Sequence, residues 1–364
     1  MTLAHIPYGR QSIDESDISA VEAVLRGAWL TQGPAVEAFE EAVALKVQAR
    51  HAVAFSSGTA ALHGCTAVAG LGPGDLVVTS PLTFMASANC ARYVGASVGL
   101  VDIRPETLNL DMAQIPAEAD AVVAVHYAGL PVDLRGMKVR PRVVIEDAAH
   151  ALGVSTPDGP VGNCARSDMC MFSFHPVKPI TTGEGGIVTT NDDSLAHKLR
   201  QFRTHDIERT PDHGAWTYRI SELGFNYRMT DIQAALGLSQ LTKLDTFIQR
   251  RNELADRYRA MLASLPVVLP PEAPPGFTHG YHLFAIRVRD RERVFEGLRS
   301  AGIGVQVHFV PIHHHPISAD IGVGPDDLPA CEEAYEQLIS LPIFPDLTEA
   351  EQDRVVATLA SLVT

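Results

Sequence analysis

The chain opens with two stretches whose apolar residues recur at helical spacing. In "DESDISAVEAVLRGA", Ile18, Val21, Val24 and Leu25 fall on one helical face, and Asp14 is placed to cap the helix. "AVEAFEEAVALKV" repeats the pattern with Val36, Phe39, Val43 and Val47. Short apolar runs then alternate with helical segments: "HAVAF", "LVVTS", "SVGLVD", "AVVAVHY", "RVVIED" and "MCMFSF". Runs this short and this uniformly apolar predict strands buried on both faces, so the expected class is α/β with a doubly wound, mostly parallel sheet. Ligands of such sheets bind beyond the carboxyl ends of the strands.

From about residue 240 the texture changes. "QLTKLDTFIQRRNELADRYRAMLASL" has the pattern of one long amphipathic helix, and the proline-rich "PVVLPPEAPPG" follows it. Beyond, "YHLFAIRV", "RVFEGLRSAGI" and "GVQVHFVP" predict strand, helix and strand, enough for a second α/β unit of roughly a hundred residues. The expected division is a large domain over 1–245 and a small C-terminal domain over 246–364.

The segments that follow the strands carry the candidate chemistry. "SSGTAAL" after the first strand offers small residues, the Ser57 and Thr59 hydroxyls and the free amides of a helix start at Gly58, a suitable cup for a phosphate or simply a capped turn. Phe84 stands after the second strand, where an aromatic stacks on a flat ring or packs in a core. Asp147 ends "RVVIED", and His150 lies one helical turn later. Ser173 ends "MCMFSF" and opens "SFHPVKPITTGEGG", in which Lys178 stands between Pro176 and Pro179 ahead of Gly183, Gly185 and Gly186. The prolines argue against a helix here and favour an extended loop. A phosphate cup, a ring stacker, a carboxylate and a lysine, brought to one sheet edge, are the set that pyridoxal phosphate requires.

Composition narrows the partners. A formal charge of −14 argues against nucleic-acid binding, while local arginines still suit an anionic substrate. Five scattered cysteines without a CxxC pair, no signal-like N-terminus and no membrane-length apolar run fit a cytoplasmic chain. A metal-dependent enzyme using His308 with His313, His314 and His315 is the competing class. It is disfavoured because adjacent histidines on an extended chain diverge, and no carboxylate stands at a usual ligand spacing. A non-catalytic sensor that keeps the cofactor fold is disfavoured by the intact lysine.

Over nearly the whole chain, "SSGTAAL", "EDAAHA", "SFHPVKPITTGEGG", "LGFNYRMTDIQAALGLSQL" and "SLPIFP" resemble the DegT/StrS family of pyridoxal-phosphate-dependent nucleotide-sugar aminotransferases. That resemblance implies the aspartate-aminotransferase fold (fold type I). It implies a Schiff base at Lys178, Asp147 at the pyridinium nitrogen and His150 near the ring hydroxyl. Gly58, Thr59 and Ser173 would hold the phosphate, and Phe84 would stack on the ring. Asn226 would reach the cofactor of a neighbouring subunit, implying a homodimer with shared sites. Thr31, Gly33, Arg228 and His308 would serve the substrate. Within the family, "IPYGRQSIDESDI" and the lysine segment look most like transaminases that make UDP-4-amino-4,6-dideoxy-N-acetyl-altrosamine, on the way to pseudaminic acid. Glutamate is the donor the family implies.

Overall fold

The computed structural model describes residues 4–210 and 214–364. The central sheet contains β1 (His51–Phe55), β2 (Leu76–Thr79), β3 (Ser97–Leu100), β4 (Ala121–Val125) and β5 (Val143–Asp147). A two-residue ribbon, β6 (Ser155–Thr156) and β7 (Gly159–Pro160), precedes the last two sheet strands, β8 (Met169–Ser173) and β9 (Gly186–Thr190). Their spatial order is β1-β9-β8-β5-β4-β2-β3. Pairings from β3 across to β8 are parallel, whereas β9 runs antiparallel to both β8 and β1. The double reversal returns β1 to the common direction, so the carboxyl ends of β1, β2, β4, β5 and β8 open on one edge.

Alternate residues of each strand enter different layers. Val53, Phe55, Val123, Ile145 and Met171 pack with Leu62 and Leu199. These leucines come from helices that are numbered here in chain order. They are α1 (Glu15–Arg26), α2 (Pro34–Val47), α3 (Gly58–Val68), α4 (Ala86–Tyr93), α5 (Asp193–Phe202) and α6 (Asp231–Leu241). On the opposite face Ala54, Cys170, Phe172 and Ile187 meet Phe39 and Val43 of α2 and Ala234 of α6. Both layers are apolar, which is why the strand sequences lack polar alternation. The predicted inward positions of α2, Val36, Phe39, Val43 and Val47, are all buried.

The first helix behaves differently. Asp14 caps α1 as expected, accepting from the amides of Ser16 and Asp17, and the Asp17 carboxylate accepts from the Asp14 amide in return. Yet the apolar face faces outward, with Ile18 50% and Leu25 57% exposed. α1 buries Asp17 instead, against the end of α6 and the residues just beyond it. Its carboxylate accepts from Ser239 Oγ (2.6 Å), Gln240 Nε2 (2.8 Å) and Lys243 Nζ (2.7 Å). Lys243 sits where the predicted long helix divides, between the end of α6 and the start of α7 (Leu244–Leu262), and its ammonium also reaches Asp14.

α7 joins two cores. Leu244 packs in the sheet layer, while Leu254, Ala255, Tyr258 and Leu262 enter a separate cluster with Ile6, Phe284, Val294, Ile339 and Leu359. That second core is built on the antiparallel pair β12 (Phe284–Arg287) and β13 (Leu338–Leu341), α8 (Arg291–Ser300) and α10 (Glu349–Val363). The hairpin β10 (Ile207–Arg209) and β11 (Tyr218–Ile220) lies apart from it, and α9 (Pro329–Gln337) leads into β13. The strand expected over "GVQVHFVP" is not formed. Gln306 makes a single bridge to Ser340, and the chain then leaves the sheet to carry His308 and Phe309 toward the strand ends. All five cysteines are buried and unpaired, and no helix of the described residues is long and apolar enough to cross a membrane.

Asp17→Ala should lower stability by about 3 kcal/mol, because it strips a buried carboxylate from Lys243 and two further donors. Urea denaturation measures this directly. Asp245→Ala, which breaks only the solvent-facing pair with Lys46, should change it by less than about 1 kcal/mol.

Candidate active site

The turn after β1 brings the first helix start of the sheet edge into place. Ser57 caps α3, its Oγ accepting from the Ala60 amide, so that hydroxyl oxygen is engaged in the turn. Helix geometry leaves the amides of Gly58 and Thr59 without intrahelical carbonyls, pointing off the helix end. A Cβ on Gly58 would stand 3.0 Å from Ser173 Cβ, so the glycine lets β8 end directly beside this turn. Gly186, which pairs with Phe55 and Ser173, lies closer still: a Cβ there would fall 2.5 Å from the Ser57 carbonyl. Any larger residue at 186 would displace the amides that form the cup.

Lys178 is not on an extended loop. The His175 carbonyl accepts from the Lys178 amide (2.9 Å), closing a four-residue turn with Pro176 at its second position, where a fixed φ near −65° fits. The turn aims the side chain inward. Burial pushes the Lys178 amine down to about 8, with the Asp147 carboxylate pulling in the opposite direction. No ion-pair partner holds it among the described residues.

Asp147, at the end of β5, is buried and accepts from Ser87 Oγ (2.7 Å) and the Ala149 amide (3.2 Å); Thr83 Oγ1 lies 3.0 Å from Ser87 Oγ. His150 lies behind it, its Nδ1 buried with no hydrogen-bond partner. Burial drives the His150 imidazole well below its ordinary range, with Lys178 adding repulsion to its protonated form. His282, from the segment before β12, packs against His150 with ring centroids 4.2 Å apart and the ring planes tilted by 34°. Burial likewise keeps His282 neutral.

These side chains line a cavity of about 410 Å³ together with Gly58, Thr59, Phe84, Ser173, His308 and Phe309. Phe84 is 62% exposed, free to cover a ring at the mouth. His308 forms the far wall, its Nδ1 2.9 Å from Ser340 Oγ, and burial pushes it down to about 4. Tyr8, Glu184, His282 and Phe309 also line the cavity, and sequence reading did not single them out. All four stand within the motifs "IPYGRQSIDESDI", "SFHPVKPITTGEGG", "YHLFAIRV" and "GVQVHFVP", but no local pattern marks them as cavity residues.

Four expected residues lie elsewhere on the same chain. Thr31 bridges to Thr230, and the amides of Gly33 and Ala35 donate to the two oxygens of buried Asp231 (2.8 and 2.9 Å). Gly33 and Arg228 line a separate, open groove of about 590 Å³. Asn226 is exposed, beside its bridge partner Thr204. Thr31, Gly33, Asn226 and Arg228 thus gather on one surface, next to exposed Trp29 and Leu30. His313 and His314 lie outside the cavity as well, both bonded to Glu332.

The cavity suits pyridoxal phosphate. Unpartnered amides beside Ser173 fit a phosphate, and the doubly hydrogen-bonded Asp147 fits a protonated ring nitrogen. His150 lines the cavity with its Nδ1 unpartnered, and Lys178 supplies an amine that burial has made easier to deprotonate.

Residues 11–360 match the model of the DegT/DnrJ/EryC1/StrS aminotransferase family. The chain is 35% identical to the spore coat polysaccharide biosynthesis protein SpsC of Bacillus subtilis, over 98% of this chain and 97% of that one. It is also 35% identical to the UDP-4-amino-4-deoxy-L-arabinose–oxoglutarate aminotransferase of Shewanella sediminis, over 100% and 99%. Among solved structures it resembles Spr1654 of Streptococcus pneumoniae in its PLP form (TM-score 0.90, 28% identity, 99% and 98% covered). It also resembles PseC of Helicobacter pylori, an aminotransferase of pseudaminic acid biosynthesis (TM-score 0.91, 29% identity, 99% of both chains). The chain therefore belongs to the DegT/DnrJ/EryC1/StrS family and is a fold type I, pyridoxal-phosphate-dependent aminotransferase.

Proposed function

We propose that the enzyme moves an amino group from glutamate to the 4-keto carbon of a nucleotide-linked 4-keto-6-deoxy sugar, with UDP-4-keto-6-deoxy-N-acetyl-altrosamine as the acceptor and pseudaminic acid as the pathway's product. Glutamate leaves as 2-oxoglutarate and the keto sugar becomes an amino sugar. The observation that carries the reading is Lys178, a buried amine near neutrality, facing the same cavity as Asp147 and His150. The oxoglutarate in the name of the Shewanella relative supports the donor, and the likeness to PseC supports the sugar.

Pyridoxal phosphate supplies an electron sink that stabilises the carbon from which a proton is removed. The residues do the rest. Lys178, whose amine desolvation makes easier to deprotonate, takes the proton from the donor's α-carbon and returns one to the sugar carbon. Asp147 stays an acceptor for the ring nitrogen's proton, oriented by Ser87. Gly58, Thr59 and Ser173 hold the phosphate, Phe84 covers the ring, and His150 meets the ring hydroxyl as a neutral imidazole. His308 closes the sugar side. Arg228, Thr31, Gly33 and Asn226 of a second copy complete the site, with Asn226 reaching the phosphate and Arg228 an anionic group of the substrate.

To hold the aldehyde of added pyridoxal phosphate, Lys178 would have to present its free amine. In the cofactor-free protein the amine is protonated below its value of about 8 and neutral above it. The capture rate, followed by stopped-flow absorbance, should therefore rise about tenfold per pH unit below that value and level off above it. Lys178→Ala should show no borohydride-sensitive visible band; a band equal to wild type would remove Lys178 from its role.

The shared site has its own check. Lys178→Ala and Asn226→Ala chains, each weakly active or inactive, should recover about a quarter of wild-type activity when mixed dimers form, since one of the two sites is then intact. Recovery of nothing would place Asn226 at its own chain's site.

For the acceptor, kcat/KM with UDP-4-keto-6-deoxy-N-acetyl-altrosamine should exceed that with the UDP-4-keto-pentose by about tenfold or more, because the pentose lacks the methyl and acetamido contacts. Equal or reversed preference would move the assignment to the arabinose-type sugar.

A further inference from the structure

His313 and His314 look inert in a linear reading, as neighbours on a chain expected to be extended. They lie instead at the end of a short 3-10 turn, Ile312–His314, which brings the two rings to 4.6 Å between centroids. Tertiary packing then supplies the carboxylate that local spacing lacks. Glu332, in the first turn of α9, places Oε1 2.7 Å from His313 Nε2 and 2.8 Å from His314 Nε2. All three ligand atoms lie within 4.8 Å of one another. We propose that His313, His314 and Glu332 form a binding site for a borderline divalent transition metal of the Zn²⁺ class, distinct from the cofactor cavity.

Two imidazoles and one carboxylate suit zinc, nickel or cobalt, and suit magnesium or calcium poorly. Around a tetrahedral ion with bonds near 2.1 Å, ligand atoms stand about 3.4 Å apart, so the carboxylate would withdraw by about 0.6 Å and the two Nε2 atoms, within 4.8 Å of each other, would settle at the same spacing as the ion replaces two shared protons. The His313 side chain is buried, so a ligating nitrogen there is held in a fixed place. His314 is partly open to solvent, providing the entry path and a fourth position for water. Asp102 adds negative charge close by, although its two oxygens are committed to the amides of Ala330 and Cys331.

The location gives the ion a consequence. The Ile312 amide donates to the Pro81 carbonyl (2.9 Å), on the loop that carries Phe84, and the same segment carries His308 and Phe309 into the cavity wall. An ion joining this turn to α9 would brace that wall. The proposal stands whether or not the sugar assignment does.

The test uses tag-free, full-length, cofactor-loaded protein, stripped with a chelator and titrated with Zn²⁺ by calorimetry. One equivalent should bind per chain. Affinity should fall about 100-fold or more in Glu332→Gln and in His314→Ala, exceeding the effect of losing an outer-sphere partner. His197→Ala, on the exposed side of α5, should bind as wild type. Circular dichroism of the variants should match wild type, and His314 is exposed enough for its truncation to be tolerated. Zn²⁺ should also raise the melting temperature of wild type and leave that of Glu332→Gln unchanged. No stoichiometric binding by wild type, or undiminished binding by both ligand variants, would overturn the site.

Discussion

A lysine amine taken out of water loses its hydration before it gains a partner, and at Lys178 that loss outweighs the attraction of Asp147. An amine in that state is poised to give up its proton, and the sheet edge is arranged to keep it so. β9 reverses between β8 and β1, which makes the lysine segment a hairpin connection whose tip returns to the strand ends. The contact of Gly186 with the Ser57 carbonyl pins that hairpin to the start of α3. Amine, carboxylate and helix N-terminus therefore share one enclosed edge through backbone geometry rather than through a direct ion pair.

The second wall comes from the other core. His282 and His308 belong to segments around β12 and β13; His282 packs against His150, and His308, held by Ser340 of β13, lines the same cavity as Lys178 and Asp147. Arg251, fully buried, donates to the carbonyls of Tyr281, His282 and Ile343, tying α7 to the segment that places His282. α7 begins in one core and ends in the other, so the wall is coupled to the sheet through a continuous helix.

The chain also carries a surface that its own fold leaves uncovered. α1 turns Ile18 and Leu25 outward because its buried side is committed to Asp17 and the Lys243 ammonium. Trp29 and Leu30 continue that apolar strip to the turn held by Asp231, and Asn226 and Arg228 lie beside it. Exposed apolar side chains gathered in this way suit a subunit contact. The proposed sharing of sites between two copies would account for Thr31, Gly33, Asn226 and Arg228 standing away from the cavity of their own chain.

Some features are determined locally and were legible at once. Strands covered on both faces must be apolar at every position, so their runs mark them without any knowledge of their neighbours. Asp14 caps α1, and the core positions of α2 repeat at 3.6, because hydrogen bonds and periodicity act within a few residues. Lys178, Asp147, His150 and Ser173 were legible because each is placed by its sequence distance from a strand end. Other features depend on what packs across from a residue, and only the tertiary structure decided them. The outward face of α1, the broken helix at Lys243, the β-turn at Pro176 and the single bridge where a strand was expected are of this kind. So are the packing of His282 against His150 and the arrival of Glu332 beside His313 and His314. Their partners lie far along the chain, and burial, not spacing, sets which side chains meet.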